Sequence, residues 1–250
     1  MTIDVSPVAV EAILSLRDLY RKEMNCQIVH DSLHARGFTL MYLVRVDGQV
    51  AGYGCALGFG KKPKDTVREF YVLPVHRAAA LPLFRAFVAA SGARKIEAQT
   101  NDVLLTLLLF DCAHRIKSET ILFHDAFTTH LSVPNAAFRK ITEAEIERFF
   151  PGRKASTSEW MIEVDGVAAA TGGILFHYNL PYGDIWMEVM EPFRRRGYGS
   201  YLVQELKRAC YEMGRVPAAR CSVKNTASRM TLQKAGLLPC ARIVSGVIAP

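Results

Sequence analysis

Three adjacent arginines followed by two glycines form the part of this chain best suited to bind an anion. The segment consists of Arg194, Arg195, Arg196, Gly197, Tyr198 and Gly199, with Ser200 next in the chain. It stands between a strand-like run, residues 185–190, and an amphipathic run typical of a helix, residues 199–213. Glycine lets the backbone turn tightly, and the first turn of a helix offers N–H groups without internal acceptors. Because such a turn binds phosphate groups, the sequence predicts a cradle for a pyrophosphate.

The same motif has other interpretations. It could be a plain strand-to-helix turn, a basic patch that contacts nucleic acid, or a Rossmann dinucleotide site. The Rossmann site requires a first glycine where Arg194 stands and an acidic residue at the end of the next strand. That predicted strand, residues 219–223, is followed by Lys224 and Asn225. The sequence therefore disfavours the dinucleotide site and leaves the first two alternatives open.

The composition limits the partners and the compartment. The 31 basic and 24 acidic residues give a formal charge of +7, which suits a nucleotide cofactor, a nucleic acid or an acidic substrate. The six cysteines form no C-x-x-C pair, so no metal site is expected and the thiols are predicted to be reduced. No apolar stretch approaches the about 18 residues of a membrane span. We therefore expect a cytoplasmic protein without a membrane partner.

The elements that must position the motif alternate between strands and helices along the chain. In the first half, the patterns predict a helix over 8–22, strands over 40–46, 49–57 and 67–73, a helix over 78–90, a strand over 95–98, a helix over 103–112 and a strand over 120–127. In the second half, they predict strands over 160–164, 167–176 and 185–190, the helix over 199–213, a strand over 219–223, a helix over 227–235 and a strand over 241–247. From the first hairpin onward, the order is the same in both halves.

Single residues recur at matching places in the two halves. The Asp-Gly turns that follow Val46 and Val164 lie 118 positions apart, and so do Pro74 and Pro192. Common turn residues could match by chance, but the agreement in element order favours one structural unit that occurs twice.

A boundary between the two copies is predicted near Pro134, which interrupts the alternation of elements. Thr142, followed three residues later by Glu145, has the spacing of a capping box at the start of a new helix. We therefore predict two domains, residues 1–133 and residues 134–250.

Two motifs together resemble the GNAT superfamily of N-acyltransferases. The first is the arginine and glycine loop at 194–199, and the second is Asn225-x-x-Ser228, followed by a helix that ends at Lys234-Ala235-Gly236. The resemblance covers about residue 138 to the end of the chain. It implies an α/β (α+β) fold with two GNAT-like domains, each a mixed, mostly antiparallel sheet flanked by helices.

The resemblance also implies a cofactor and its contacts. Acetyl-coenzyme A would place its pantetheine arm beside the backbone of Val189 and Met190. Asn225 and Ser228 would contact the pantetheine or the phosphate end from the neighbouring helix. Its pyrophosphate would lie on Arg194, Arg195, Arg196, Gly197, Tyr198, Gly199 and Ser200.

The implied activity is N-acetyl transfer by direct attack of an amine in a ternary complex. The amine would belong to a small molecule or a peptide, and a backbone N–H near Val189 would stabilise the oxyanion. Glu188 is the candidate base, acting through water, and Asp184 is second. A carboxylate on a strand could equally be paired with an arginine.

The expected general acid is missing, since Leu232 stands where many family members have a tyrosine. The donor could be Thr231 or Tyr198, the thiolate could leave without help, or the domain could be a non-catalytic acyl-coenzyme A sensor. A further alternative is an aminoacyl-tRNA-dependent transferase, although nucleic acid is not the expected partner.

The first half resembles a copy that has lost the cofactor site. The segment aligned with the loop, residues 76–81, has no glycine, and Asn101 would match Asn225 at a distance of 124 positions. The apolar helix over 103–109 is predicted to be buried core. We therefore expect one working site, in the carboxy-terminal copy.

Overall fold

A computed structural model describes residues 1–58, 63–149 and 159–249. Contacts between α-carbons divide the chain into two compact units. The first unit contains Met1–Glu119 and Ala241–Pro250, and the second contains Thr120–Cys240. Both units contain antiparallel strands with one parallel pair and helices packed against them, so the predicted α/β class is confirmed.

The elements follow the predicted alternation closely. In chain order they are β1 (Ile3–Val8), α1 (Leu14–Met24), α2 (Asp31–Ala35), β2 (Thr39–Val46), β3 (Gln49–Leu57), β4 (Thr66–Val72), α3 (Ala80–Ser91), β5 (Lys95–Gln99), α4 (Val103–Cys112), β6 (Ala113–Asp125), β7 (Ala136–Lys140), α5 (Glu143–Phe149), β8 (Glu159–Val164), β9 (Val167–Leu175), β10 (Tyr182–Val189), α6 (Tyr198–Glu212), β11 (Val216–Ser222), α7 (Thr226–Lys234) and β12 (Leu237–Ile248). No helix in these ranges has the length and apolar character needed to cross a membrane. No cluster of His, Cys, Asp and Glu in the same ranges is arranged to hold a metal ion.

The strands of the two units follow the same order. In the first unit the order is β1-β2-β3-β4-β5, and β5 also pairs with residues 243–247 of β12. In the second unit the order is β6-β11-β10-β9-β8-β7. The hairpins β2–β3 and β8–β9 turn at Asp47-Gly48 and Asp165-Gly166, whose φ angles are all positive, as this tight turn requires.

In each unit, one strand comes from the other half of the sequence. Ile243 of β12 pairs with Gln99 of β5, and Ala218 of β11 pairs with His124 of β6. The compact units therefore end at Glu119 and Cys240. The limits 1–133 and 134–250 stay a prediction about where the sequence repeat begins.

Three local predictions need correction. The helix expected from residue 8 begins at Leu14, because residues 3–8 form β1 and residues 10–13 a 3-10 turn. The strands β1 and β7 were not predicted from the sequence; both are short and lie at sheet edges. The match of Asn101 with Asn225 is wrong by one residue, since Asp102 caps α4 through the Leu105 N–H (3.0 Å), as Asn225 caps α7 through the Ser228 N–H (3.0 Å).

Helix α4 is only half buried, contrary to the expectation of a core helix. Leu105, Leu108 and Leu109 are buried, whereas Leu107 and Phe110 are 58% and 61% exposed. Its apolar residues surround the whole helix, so its sequence has no polar face that would mark the exposed side. The predicted capping box of α5 is confirmed, since the Glu145 N–H donates to Thr142 Oγ1 at 3.3 Å and Thr142 N–H to Glu145 Oε2 at 3.0 Å.

A buried ionic network lies in the first unit. The guanidinium of Arg17 donates two hydrogen bonds of 3.0 Å to Glu69, and the Tyr53 hydroxyl donates a third, also of 3.0 Å. Arg17 and Glu69 are 3% and 1% exposed. Burial works to raise the pKa of Glu69, but hydrogen bonds from His34 and Arg17 hold that pKa well below its usual value. Glu69 is therefore charged in the folded protein.

His30 lies in the same region and should make stability sensitive to acid. Burial lowers the pKa of His30 to about 4, and the charges of Arg68, His34 and Arg17 act in the same direction. Together they outweigh the opposing charge of Glu69. A depressed pKa means that the folded state resists protonation, so stability is complete above about pH 6.5 and is lost as the pH falls toward 4. We expect the free energy of unfolding to fall by up to about 1.4 kcal/mol per pH unit from this residue.

Chemical denaturation between about pH 6.5 and 5 checks this expectation, with His30→Gln as the comparison. Asp102 acts in the opposite direction, because burial, against hydrogen bonds from Leu105 and Tyr20, raises its pKa to about 6. The contribution of Asp102 is present in both proteins, so it cancels when the slopes of unfolding free energy against pH are compared. Equal slopes in wild type and His30→Gln would contradict the assignment to His30.

Candidate active site

The second unit contains a cleft of about 860 Å³ between the end of β10, the turn before α6, the first turn of α6 and one side of α7. All of its lining residues belong to this unit. They are Met187, Glu188, Val189, Phe193, Arg194, Arg195, Gly197, Tyr198, Gly199, Ser200, Asn225, Ala227, Ser228, Met230, Thr231 and Lys234. Ten of the twelve residues proposed for the site from the sequence are among them.

The cleft begins where two parallel strands separate. β10 pairs with β11 only over Tyr182–Asp184, whereas on its other edge it pairs with β9 as far as Val189. The Met190 N–H donates to Ala169 of β9 (3.0 Å). Since hydrogen-bonding groups alternate between the two edges of a strand, the N–H and C=O of Val189 point toward the cleft. The Val189 carbonyl accepts a hydrogen bond from Arg194 Nε, so the Val189 N–H is the backbone group that an extended ligand could bind here.

Met190 does not line the cleft, although the sequence placed it there. Its N–H is bonded to Ala169, and its carbonyl accepts from the Phe193 N–H at 2.9 Å. Both backbone groups are used because the chain enters a 3-10 turn directly after β10. Met190 is therefore not available to a ligand.

The turn before α6 has the geometry of an anion cradle. Gly197 caps the helix with φ +92°, a conformation that side chains disfavour. Among the described residues, none accepts a hydrogen bond from the N–H groups of residues 195–200, and the first helical bond is Tyr201 N–H to Gly197 O (3.0 Å). Several amides at the positive end of the α6 dipole thus face the cleft without protein acceptors.

Gly199 has a different role from the one expected, which was to let the backbone approach a ligand. A Cβ at this position would lie 3.0 Å from Val189 Cγ2 and 3.1 Å from Thr231 Cγ2. The missing side chain therefore lets the first turn of α6 pack closely against β10 and α7. This packing brings the three elements of the cleft together.

The three arginines are placed differently. The Nε of Arg194 donates to the Val189 carbonyl at 3.2 Å, which ties the turn to the end of β10. Arg195 lines the cleft, whereas Arg196 is exposed and does not line it. Lys234 supplies a further cation from α7. Three positive side chains therefore surround the cleft, and Arg196 is not one of them.

One side of α7 completes the cleft, and the sequence analysis identified only part of it. Besides Asn225 and Ser228, the lining includes Ala227, Met230, Thr231 and Lys234. Their spacing from Ala227 is three, four and seven residues, which is one face of a helix. Helical periodicity counted from Ala227 could have found the other three, whereas nothing local marked Met187 and Phe193.

The position of the missing tyrosine belongs to the core. Leu232 is 2% exposed and packs with Ile121, Phe123 and Val203, so it offers no proton to the cleft. The two hydroxyls suggested instead, those of Thr231 and Tyr198, belong to residues that line it. The Tyr198 ring packs edge-on against Phe193 (5.7 Å between centroids), beside the arginine turn. Thr231 lies on α7, adjacent to Val189 and Gly199.

The two carboxylates suggested as bases differ in their surroundings. Glu188 lines the cleft and is exposed. Asp184 is 4% exposed, and its Oδ2 lies 3.2 Å from His177 Nε2 and 3.7 Å from Arg220 Nε. Because Glu188 lines the cleft and Asp184 does not, Glu188 is the better placed of the two to accept a proton from a substrate bound there.

Comparison with known proteins agrees with this geometry. The sequence profile of the acetyltransferase (GNAT) family matches residues 124–237. No curated protein sequence matches the chain.

Solved structures of similar fold extend over the whole chain. A GNAT-family acetyltransferase from Colwellia psychrerythraea has a TM-score of 0.74 at 15% identity, covering 98% of this chain and 100% of its own. A GCN5-related N-acetyltransferase from Sphaerobacter thermophilus has a TM-score of 0.61 at 15% identity, with 99% and 96% covered. A tandem GNAT protein from the clavulanic acid biosynthesis pathway has a TM-score of 0.60 at 12% identity, with 100% and 99% covered. The predicted fold, with two GNAT-like domains, is therefore confirmed.

Proposed function

We propose that this chain, whose residues 124–237 match the acetyltransferase (GNAT) family, transfers an acetyl group from acetyl-coenzyme A to the amine of a small molecule or peptide. The observation that carries the proposal is the turn at Gly197, whose amides face the cleft without acceptors in the described part of the chain. A pyrophosphate is the ligand that such a turn binds best. The family supports acyl transfer in general, and acetyl-coenzyme A as the donor is our proposal.

The proposed cofactor contacts follow from the lining of the cleft. The pyrophosphate is assigned to the amides of residues 197–200, with Arg194, Arg195 and Lys234 as the nearby cations. The pantetheine arm is assigned to the cleft edge of β10 at Val189, and Asn225 and Ser228 flank it from α7. Met190 and Arg196 are left out because neither lines the cleft.

The proposed reaction is direct attack of the amine on the thioester carbonyl. Acetyl-coenzyme A supplies the activated acyl group, and a new C–N bond forms as the C–S bond breaks. Glu188 takes the proton that the amine must lose, through an intervening water. The Val189 N–H, which points into the cleft, is assigned to the oxyanion.

The leaving thiolate needs a proton, and no tyrosine supplies it at residue 232. Thr231 is the hydroxyl we assign to this end of the cleft, since Tyr198 packs against Phe193 beside the phosphate turn. A coenzyme A thiolate is a moderately good leaving group, so it can also depart before it is protonated by solvent. Loss of Thr231 should therefore slow the reaction less than loss of Glu188.

Glu188→Gln is expected to lower kcat/KM for acetyl transfer by about 10²- to 10⁴-fold, the usual contribution of a general base. Release of coenzyme A thiol in the presence of a panel of amines measures the rate. Glu191→Gln is the control, because Glu191 is exposed in the 3-10 turn that follows β10 and does not line the cleft. Equal losses in both variants would contradict the assignment.

Two other functions remain to be distinguished. A non-catalytic sensor would bind acetyl-coenzyme A and release no thiol with any amine. An aminoacyl-tRNA-dependent transferase would bind tRNA with an affinity that falls steeply with salt. The cytoplasmic location stays a prediction.

A further inference from the structure

A second group of charged side chains lies on the sheet face that α6 does not cover. Along β10, the odd-numbered residues from Ile185 to Val189 pack against α6. Because side chains alternate along a strand, Asp184 and Glu188 point to the opposite face. The amine acceptor must approach the proposed base Glu188 from this face.

Arg220 projects from β11 onto the same face. Its neighbours Ala219 and Cys221 pack in the core with α6 and α7, so the Arg220 side chain points away from these helices. In the parallel register Ala218 is aligned with Asp184. Arg220 therefore lies two residues further along, between the levels of Asp184 and Glu188.

Two buried side chains fix the Arg220 guanidinium. Its Nε lies 3.7 Å from Asp184 Oδ2, and its Cζ lies 5.8 Å from the centre of the Tyr178 ring. Asp184 and Tyr178 are 4% and 3% exposed, so neither can move away easily. Burial, followed by the charge of Asp184, raises the pKa of Tyr178 far above its usual value, so the phenol stays protonated. The guanidinium is thus held in place before any ligand arrives.

The outer end of the Arg220 guanidinium is open. The Arg220 side chain is 45% exposed, and among the described residues neither Nη donates a hydrogen bond. Asp184 takes only the Nε side. An arginine that has its two Nη groups in one plane binds a carboxylate with two parallel hydrogen bonds.

We propose that Arg220, positioned by Asp184 and Tyr178, binds a carboxylate group of the amine acceptor. The inference rests on the proposed acetyl transfer and narrows its acceptors to amines that also carry a carboxylate. Arg220 and Glu188 lie on one face and two strand levels apart, which is roughly 7 Å along the sheet. One molecule can therefore place its amine at Glu188 and its carboxylate at Arg220.

The test compares amines with and without a carboxylate. Glycine, 4-aminobutyrate and 6-aminohexanoate are paired with ethylamine, butylamine and hexylamine, which have the same numbers of carbons. Acetylation and calorimetric binding are both measured, the latter also without acetyl-coenzyme A. In at least one of these pairs, wild type should bind and acetylate the carboxylate compound about 10- to 100-fold better than its alkylamine. This is the range of a hydrogen bond to a charged group. Arg220→Gln should lose this preference and keep the wild-type affinity for acetyl-coenzyme A, and Arg220→Lys should keep part of it.

Arg215→Gln is the matched control. Arg215 also lies over an aromatic ring, that of Phe176 at 5.2 Å, and its Nη1 donates to the Tyr182 carbonyl at 3.3 Å. The Arg215→Gln variant loses the same charge as Arg220→Gln, and it should keep the preference for amines that carry a carboxylate. The inference is overturned if Arg220→Gln keeps the wild-type preference, if both arginine variants lose it equally, or if wild type binds no carboxylate better than its alkylamine. Absence of acetyl-coenzyme A binding in wild type would instead refute the proposed function, because the carboxylate preference is measured without it.

Discussion

Aspartate at both Gly197 and Gly199 should reduce the affinity for acetyl-coenzyme A by about 100-fold or more, which corresponds to about 2.7 kcal/mol. At Gly197 the left-handed backbone (φ +92°) would be strained by any side chain, and a carboxylate there would repel a diphosphate. At Gly199 a Cβ would lie 3.0 Å from Val189 and 3.1 Å from Thr231, so the cleft would have to open. Calorimetric titration of acetyl-coenzyme A measures the loss.

The control for this variant lies at the other end of α6. Gly214 also has a positive φ (+70°), and a Cβ there meets nothing within 4 Å. Gly214→Asp therefore introduces the same charge and similar backbone strain away from the cleft, and it should leave the affinity unchanged. Wild-type affinity in the Gly197/Gly199 variant would mean that the pyrophosphate lies elsewhere, and acyl transfer at this cleft would lose its main support.

The second large effect concerns stability. Arg17→Met leaves Glu69 buried without its opposing charge, and we expect a loss of about 3–5 kcal/mol in the free energy of unfolding. Circular dichroism during urea denaturation measures it. Both tryptophans, Trp160 and Trp186, belong to the second unit, so their fluorescence reports whether that unit unfolds at the same concentration.

Two further variants decide whether the buried ion pair is the cause. Arg21→Gln removes an arginine from the same helix whose partners, Asp18 and Asp31, are more than half exposed, and it should cost less than about 1 kcal/mol. Replacing Arg17 and Glu69 together with methionine should recover part of the loss, since no unpaired charge remains. If Arg17→Met costs no more than Arg21→Gln, the network does not stabilise the first unit.

The two predictions concern different units, and they separate function from folding. The glycine substitutions act in the cleft of the second unit, whereas Arg17→Met acts in the first unit. Acetyl-coenzyme A binding by Arg17→Met at concentrations of urea below its transition would show that the cleft does not require the buried ion pair. This would be consistent with one working site, in the carboxy-terminal copy.

Local sequence patterns determined much of this protein. The periodicity of apolar residues predicted most strands and helices, and the Asp-Gly turns marked both hairpins, because these features depend on residues close together in the chain. The same is true of the turn at Gly197, where a glycine is required by the backbone itself. Most of the candidate cofactor residues could therefore be found without a structure.

Only the tertiary structure decided which strands pair within each unit and where β10 and β11 separate. It also decided which charged side chains form ion pairs. Arg17 and Glu69 are 52 residues apart in the chain, and Arg220 reaches Asp184 from a different strand. Such pairs depend on strand order and register, and a strand's own residues do not specify which of several edges it will join. For this reason the sequence predicted the cofactor turn, whereas the proposed acceptor site at Arg220 became visible only in the folded chain.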